Sequence, residues 1–221
     1  MSKKTRPTTK AKTTSFKLTQ EEGEYLVNLA RKAAETYLKK REILRVPDDA
    51  PGKFKEHCGV FVTINSVKGD SHQLRGCIGF PHPTTPLAKA VIESAISSAT
   101  QDPRFPPMSP AELDHVVFEV SVLTPPETVE VNSPQEYCSE IKVGRHGLIV
   151  ERSYCKGLLL PQVPVELNWD EETFLCECCV KAGLPPDSWL LKDTKVSRFE
   201  AIIFEEASPK GKIERKEISN S

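Results

Sequence analysis

The chain has 221 residues, a net charge of −1, 38% hydrophobic and 28% charged residues, which is typical of a globular protein with a sizeable buried core. No apolar run reaches the about 18 residues that a membrane-spanning helix needs, and the N-terminus has no apolar signal segment, so we expect a cytoplasmic protein. The seven cysteines, an odd number with three crowded between positions 176 and 179, make a poor disulfide framework and indicate reduced thiols.

Residues 1–17 differ from the rest of the chain because they carry six basic residues and no acidic one. This segment is rich in Thr and Lys and has too few large apolar groups to offset the entropy lost on ordering, so we expect a disordered basic tail. Contact with nucleic acid or an anionic surface is one interpretation. A solvated terminus is the other, and the body of the chain favours it because no dominant basic face is evident.

Helix starts are marked by capping residues. Thr19 and Glu22 are spaced as a capping box, and the apolar residues that follow at helical intervals predict a helix over 20–40. Further starts are predicted at Thr85-Pro86, at Ser109-Pro110 and at Asp170, the last helix running through Lys181 to a stop at Gly183.

Strands are predicted where β-branched and aromatic residues alternate or cluster between turn residues. Their ranges in chain order are 59–65, 73–78, 116–123, 141–143, 148–151, 158–163 and 195–205. Strands and helices are therefore mixed, with hairpins in place of strict strand–helix–strand units, which indicates the α+β class over residues 18–206. We expect the charged C-terminus, 207–221, to fray.

The segment Leu74–Gly79 combines reactive and permissive residues. Gly76 and Gly79 lack side chains, so another backbone or a ligand can approach the strand closely. If strand alternation holds, Arg75 and Cys77 face the same side, where the guanidinium would favour the thiolate or bind an anion. The alternative is a small buried core cysteine with glycines that serve a bulge or packing.

The same segment, LRGCIG, resembles the signature of the AMMECR domain family, which has members in archaea, bacteria and eukaryotes. The likeness continues in order through DPRFPP at 102–107, VSVLTPP at 120–126, GRHGL at 144–148, GLLLPQV at 157–163 and KAGL at 181–184. It covers roughly residues 20–206. The resemblance implies a domain with a larger and a smaller lobe and no established reaction. Prokaryotic relatives are often associated with a Memo-type or a radical SAM protein, which implies a possible partner of either kind.

Three further positions are candidates for a site. His146 lies in a glycine-flanked turn and would suit a general base for Cys77, with Asp102 or Glu166 orienting it; a histidine bonded to backbone is the alternative. Asp102 and Arg104 stand in a proline-stiffened loop, where Asp102 caps turn amides and Arg104 pairs with an acid or binds an anion.

Gln162 follows Pro161 in a segment predicted to be a strand, so its amide either bonds to backbone or points into a pocket. The cysteines at 176, 178 and 179 lack the second ligand pair that a closed zinc site requires. Phe174, Leu175, Cys178 and Cys179 also fit a buried helical stripe. Signatures for nucleotide binding, zinc proteases and serine hydrolases are missing, so we expect no metal and no cofactor.

Three classes of function remain open from the sequence. The first is an enzyme that acts on a small molecule or a macromolecule in a cleft around Arg75, Cys77, Arg104 and His146. The second is a non-catalytic binding or adaptor module that works with a Memo-type or radical SAM partner. Nucleic-acid binding through the basic tail is the third and the least favoured.

Overall fold

A computed structural model describes residues 16–69 and 71–218 of the chain. Apart from Phe16 and Lys17, the predicted basic tail lies outside the described residues, and Phe16 is buried against the core. No helix in these ranges is long and apolar enough to cross a membrane.

The helices and strands are numbered in chain order. The helices are α1 (Gln20–Lys40), α2 (Leu87–Thr100), α3 (Tyr137–Glu140), α4 (Gln162–Glu166) and α5 (Glu171–Lys181), with 3-10 turns at Gly52–Lys55, Pro110–His115, Pro134–Glu136 and Pro186–Leu190. The strands are β1 (Gly59–Lys68), β2 (Ser71–Phe80), β3 (Val116–Leu123), β4 (Glu127–Thr128), β5 (His146–Arg152), β6 (Cys155–Leu159), β7 (Lys195–Glu206) and β8 (Ile213–Lys216).

Three of the predicted helix caps are present, and one of them is the capping box of Ser109 and Glu112 at the 3-10 turn Pro110–His115. The Thr19 hydroxyl accepts from the Glu22 amide at 3.2 Å while the Glu22 carboxylate accepts from the Thr19 amide at 2.8 Å. Asp170 caps α5 by accepting from the Thr173 amide. The predicted cap at Thr85 is wrong: α2 begins at Leu87 with Pro86 in the cap position and no side-chain cap, and the Leu87 amide donates to a backbone carbonyl, that of Glu56.

The strands form an antiparallel sheet in the order β2-β1-β3-β7-β5-β6, and β4 and β8 also pair with β7. Strand β7 pairs with β5 through residues 195–200 and with β3 through residues 201–205. It therefore runs through both halves of the sheet. The first lobe contains α1, α2, β1–β3 and β8, and the second contains α3–α5 and β4–β6, so the expected two-lobed α+β fold is confirmed.

Each lobe has its own hydrophobic core. In the first lobe, Val60, Val62 and Ile64 point from β1 toward α1 and α2 and are fully buried. In the second, α5 buries Phe174, Leu175, Cys178 and Cys179 against β5. This is the buried helical stripe that the sequence allowed for the cysteines.

Three predicted segments are wrong. Residues 141–143 form a loop between α3 and β5. Within the C-terminus that was predicted to fray, the described residues 207–218 do not simply fray, because Ile213 is buried and β8 pairs with β7. Strand β6 ends at Leu159, and Gln162 begins α4. The prolines at 161 and 164 favour this helix because they stand at its cap and in its first turn, where amide donors have no intrahelical partner.

Candidate functional site

The LRGCIG segment lies on β2, at the edge of the sheet, and contains a β-bulge. Ile64 pairs with Gly76 and the next residue, Asn65, pairs with Leu74, so Arg75 is the extra residue on β2. A bulge interrupts the alternation of side chains between the two faces of a strand. The prediction that Arg75 and Cys77 share a face is therefore wrong.

Arg75 packs away from the cavity that Cys77 lines. Its guanidinium donates from Nε to the Glu112 carboxylate at 3.0 Å and lies 5.9 Å from the centre of the Phe105 ring. Glu112 also closes a capping box with Ser109 at the start of its 3-10 turn. Arg75 therefore ties the edge strand to this turn.

The glycines of the motif allow close approach of this chain's own backbone. A Cβ at Gly76 would lie 2.1 Å from the carbonyl oxygen of Ser98 on α2. The Ser98 hydroxyl accepts from the Ile78 amide at 2.8 Å and donates to the Val62 carbonyl at 2.7 Å. A Cβ at Gly79 would lie 2.3 Å from the carbonyl oxygen of Val60. The result is a clamp that holds α2 against β1 and β2.

Asp102 fastens the edge of β2 from the loop after α2. Its buried carboxylate accepts from the Cys77 amide at 2.8 Å, and from Nε and Nη2 of Arg104 at 3.0 and 2.7 Å. These hydrogen bonds, above all those from Arg104, hold the pKa of the Asp102 carboxyl well below its usual range. The Arg104 side chain is half exposed and lines the cavity beside Cys77.

A cavity of about 760 Å³ lies between the sheet face that turns away from α1 and α2 and the helix α4. Volumes of roughly 300–1,000 Å³ are usual for small-molecule sites. Apolar groups from β1, β7 and α4 alternate with polar ones along its wall. The polar side chains of the wall include Thr63, Cys77, Arg104, Glu119, Gln162 and Lys216.

Three of these side chains form one row across neighbouring strands. Cys77 on β2 is the partner of Thr63 on β1, and Thr63 is the partner of Glu119 on β3. Directly opposite residues of an antiparallel pair are about 5 Å apart between Cα atoms, so the row spans about 10 Å. A thiol, a hydroxyl and a carboxyl therefore line one wall of the cavity.

The Cys77 thiol accepts a hydrogen bond from the Thr63 hydroxyl, with 3.4 Å between oxygen and sulfur. Burial raises the pKa of the Cys77 thiol, and the smaller opposing effects of Thr63 and Arg104 do not cancel it. The guanidinium that acts on the thiol is thus that of Arg104, and the resting group is a protonated thiol.

Glu119 is a buried carboxyl beside this thiol. Burial raises its pKa, and the ammonium of Lys216, 3.1 Å from its Oε2, opposes the shift. The Ser121 hydroxyl lies 3.4 Å from the other carboxylate oxygen. In the sequence, the only sign of Glu119 is an acid within the apolar strand VVFEVSVL. This is a signal because an acid is rarely buried without a partner. Lys216 gives no such signal in the sequence.

Gln162 lies on the first turn of α4 and lines the cavity, as one of the two sequence-based interpretations expected. Its Oε1 is buried and has no hydrogen-bond partner among the described residues. A buried carbonyl oxygen without a partner costs free energy, so the position favours a ligand that donates a hydrogen bond.

The fold does not bring His146 to Cys77. His146 is buried on β5, where its Nδ1 accepts from the Lys142 amide at 3.1 Å. Three strands separate β5 from β2, which corresponds to about 19 Å at the usual spacing. The predicted dyad is therefore wrong, and the interpretation of a backbone-bonded histidine holds. Burial lowers the pKa of His146.

The cavity continues into a groove of about 460 Å³ beside β6, and the two share Phe61, Leu160 and Val163. Lys156 and Lys181 lie at the groove. Within residues 16–69 and 71–218, no group of three His, Cys, Asp or Glu side chains is placed to hold a metal ion.

The fold around this cavity belongs to a known class of domain. The AMMECR1 family model matches residues 27–204, and the chain belongs to this family. It is 54% identical over 204 residues to a protein of Thermococcus gammatolerans, covering 92% of this chain and 99% of that protein. Protein PH0010 of Pyrococcus horikoshii is 56% identical over 204 residues, covering 92% and 98%. The crystal structure of PH0010, described as uncharacterized, superposes with a TM-score of 0.84 over 91% of this chain and all of that one.

Proposed function

We propose that the protein is an enzyme that acts on a small molecule bound between the sheet and α4. The observation that carries this proposal is the row of Cys77, Thr63 and Glu119 along the cavity wall. Cleft residues whose pKa values are shifted by burial and by a specific charged partner mark functional sites more often than chance. Arg104 and Gln162 are the binding groups in this proposal.

Cys77 acts as the nucleophile and Glu119 as the group that moves its proton. The resting thiol is protonated, so a base has to accept its proton before sulfur forms a bond with an electrophilic carbon of the substrate. Glu119, with the raised pKa of a buried carboxyl, suits this exchange and returns the proton to the leaving group. Because the Cα atoms of Cys77 and Glu119 are about 10 Å apart, the proton passes through the Thr63 hydroxyl between them, which rotates from donating to the thiol to accepting from it. Glu119 thus takes the role that the sequence assigned to His146.

The first experiment measures how fast iodoacetamide alkylates Cys77 in the native protein across pH. Trypsin releases Gly76–Lys89 with Cys77 as its single cysteine, and Ser153–Lys156 with Cys155 as an internal reference. We expect iodoacetamide to label Cys77 slowly below its raised pKa. The dependence of the labelling rate on pH should change in Glu119→Gln. Compounds that fill the cavity should protect Cys77 selectively.

Those compounds are then tested as substrates. Labelling of Cys77 only after unfolding would refute the nucleophile. A library in which no compound protects Cys77 more than Cys155 would refute the ligand site.

An adaptor working with a Memo-type or radical SAM partner is the second candidate. Apolar side chains on α5 and the following turn favour it, since Val180, Leu190 and Leu191 are 49%, 38% and 44% exposed. Co-purification of the full chain with a Memo-type protein, lost in Leu191→Ser, is the expected result. Absence of a complex at micromolar concentrations would refute this candidate.

A further inference from the structure

Strand β8 lies beyond the part of the chain that matches the family model, yet it reaches the cavity. The match ends at residue 204, whereas β8 spans Ile213–Lys216. Lys216 and the two residues that follow it, Glu217 and Ile218, line the cavity. The C-terminal segment therefore forms part of the wall opposite the LRGCIG strand.

Lys216 is the charge partner of the buried carboxyl. Its Nζ lies 3.1 Å from Oε2 of Glu119 and 2.9 Å from Oε2 of Glu205. The Glu119 side chain is only 9% exposed, so water does little to stabilise its charge. Among the described residues, no other Lys, Arg or His forms an ion pair with Glu119.

The groups that face Glu119 act on its ionisation in different directions. Lys216 and the Ser121 hydroxyl favour the carboxylate, while burial and the neighbouring carboxylate of Glu205 favour the protonated acid. Cys77, in the same row, is a neutral thiol at rest. With Lys216 removed, burial and Glu205 would be opposed only by a single long hydrogen bond.

We propose that Lys216 is a positioning residue whose ion pair stabilises the carboxylate form of Glu119 at the cavity wall, which makes the C-terminal strand part of the functional site. The chemical role of Glu119 rests on the proposed function. The effect of Lys216 on Glu119 does not, because it follows from their contact alone.

The experiment is a carbon-detected NMR titration of the side-chain carboxyl of Glu119 in the full chain, assigned with Glu119→Gln. Lys216→Met should raise the midpoint by at least about one pH unit, a tenfold change in proton affinity. Lys216→Arg should restore it. The matched control is Lys212→Met, because Lys212 precedes the same strand and forms only an exposed pair with Glu214.

A midpoint that is the same in Lys216→Met and Lys212→Met would overturn the proposal. If Lys216→Met does not fold, Lys216→Gln tests the same contact, since loss of the ammonium should raise the titration midpoint of Glu119 there too; no change would equally overturn the proposal. The titration needs no ligand, so its failure is distinguishable from a failure of Cys77 protection.

Discussion

Gly76 occupies a position where the packing of α2 leaves no room for a side chain. The nearest atom to an added Cβ is a backbone oxygen, that of Ser98 at 2.1 Å, and it cannot rotate away. We expect Gly76→Ala to lower the free energy of unfolding by about 1–3 kcal/mol, the usual cost of overpacking. Urea denaturation measures the change. Gly52→Ala is the matched control, because a Cβ there meets nothing within 4 Å. Equal effects at both glycines would contradict the clamp.

Asp102 gives the edge of β2 a pH-dependent attachment. Asp102→Asn removes a buried carboxylate that accepts hydrogen bonds from the Cys77 amide and from Arg104. We therefore expect the free energy of unfolding to fall by about 1–3 kcal/mol at neutral pH. Because the folded-state pKa of Asp102 is depressed, its contribution is complete above the unfolded value of about 3.9 and is lost as the pH falls toward the folded value. The stability difference between the two proteins should therefore shrink below about pH 4. A difference that stays constant from pH 7 to pH 3 would contradict this cause.

Among the elements, α4 carries a polar group that the free protein does not satisfy. We expect Gln162→Leu to leave the free energy of unfolding unchanged or to raise it by about 1 kcal/mol, because an unpartnered buried oxygen is removed. The same substitution should abolish the protection of Cys77 by cavity ligands. Ser98→Ala is the contrasting variant, since it leaves the Ile78 amide without its partner and should destabilise. A large stability loss in Gln162→Leu would show that its amide has a structural role.

The elements that the sequence predicted well are those whose signals are local. The capping box at Thr19 and the cap at Asp170 act within one turn, so the neighbouring residues suffice to place α1 and α5. The bulge at Arg75 and the helix at Gln162 depend on partners elsewhere in the chain. Alternation alone placed Arg75 on the wrong face and Gln162 in a strand.

The difference between local and long-range signals also explains which residues of the candidate site the sequence identified. Cys77, Arg104 and Gln162 belong to recognisable motifs, and all three line the cavity. Glu119 and Lys216 join them only through strand register, across β1, β3, β7 and β8. Register between strands that are distant in sequence is set by the packed sheet, so a single sequence does not reveal it.

At the scale of the whole molecule, β7 couples the two lobes. Its last residue, Glu206, is buried and accepts from the Arg31 guanidinium on α1 and from the Phe118 amide on β3. The first residues of β7 pair with β5 in the second lobe. Loss of the first lobe would therefore remove the strand on which the second lobe is built.

This coupling predicts that a change in the first lobe unfolds the second. Glu206→Gln removes the carboxylate nearest to the buried Arg31 guanidinium and leaves Glu35, 3.8 Å away, as its remaining ionic partner, so we expect the free energy of unfolding to fall by about 3 kcal/mol. Both tryptophans of the chain, Trp169 and Trp189, pack in the second core, so their fluorescence reports that lobe. The urea midpoints of unfolding measured by fluorescence and by far-UV circular dichroism should fall together. Asp114→Asn, which breaks only the exposed pair with Lys210, should leave both unchanged. A fluorescence midpoint that stays at the wild-type value while circular dichroism shifts would show that the lobes unfold independently.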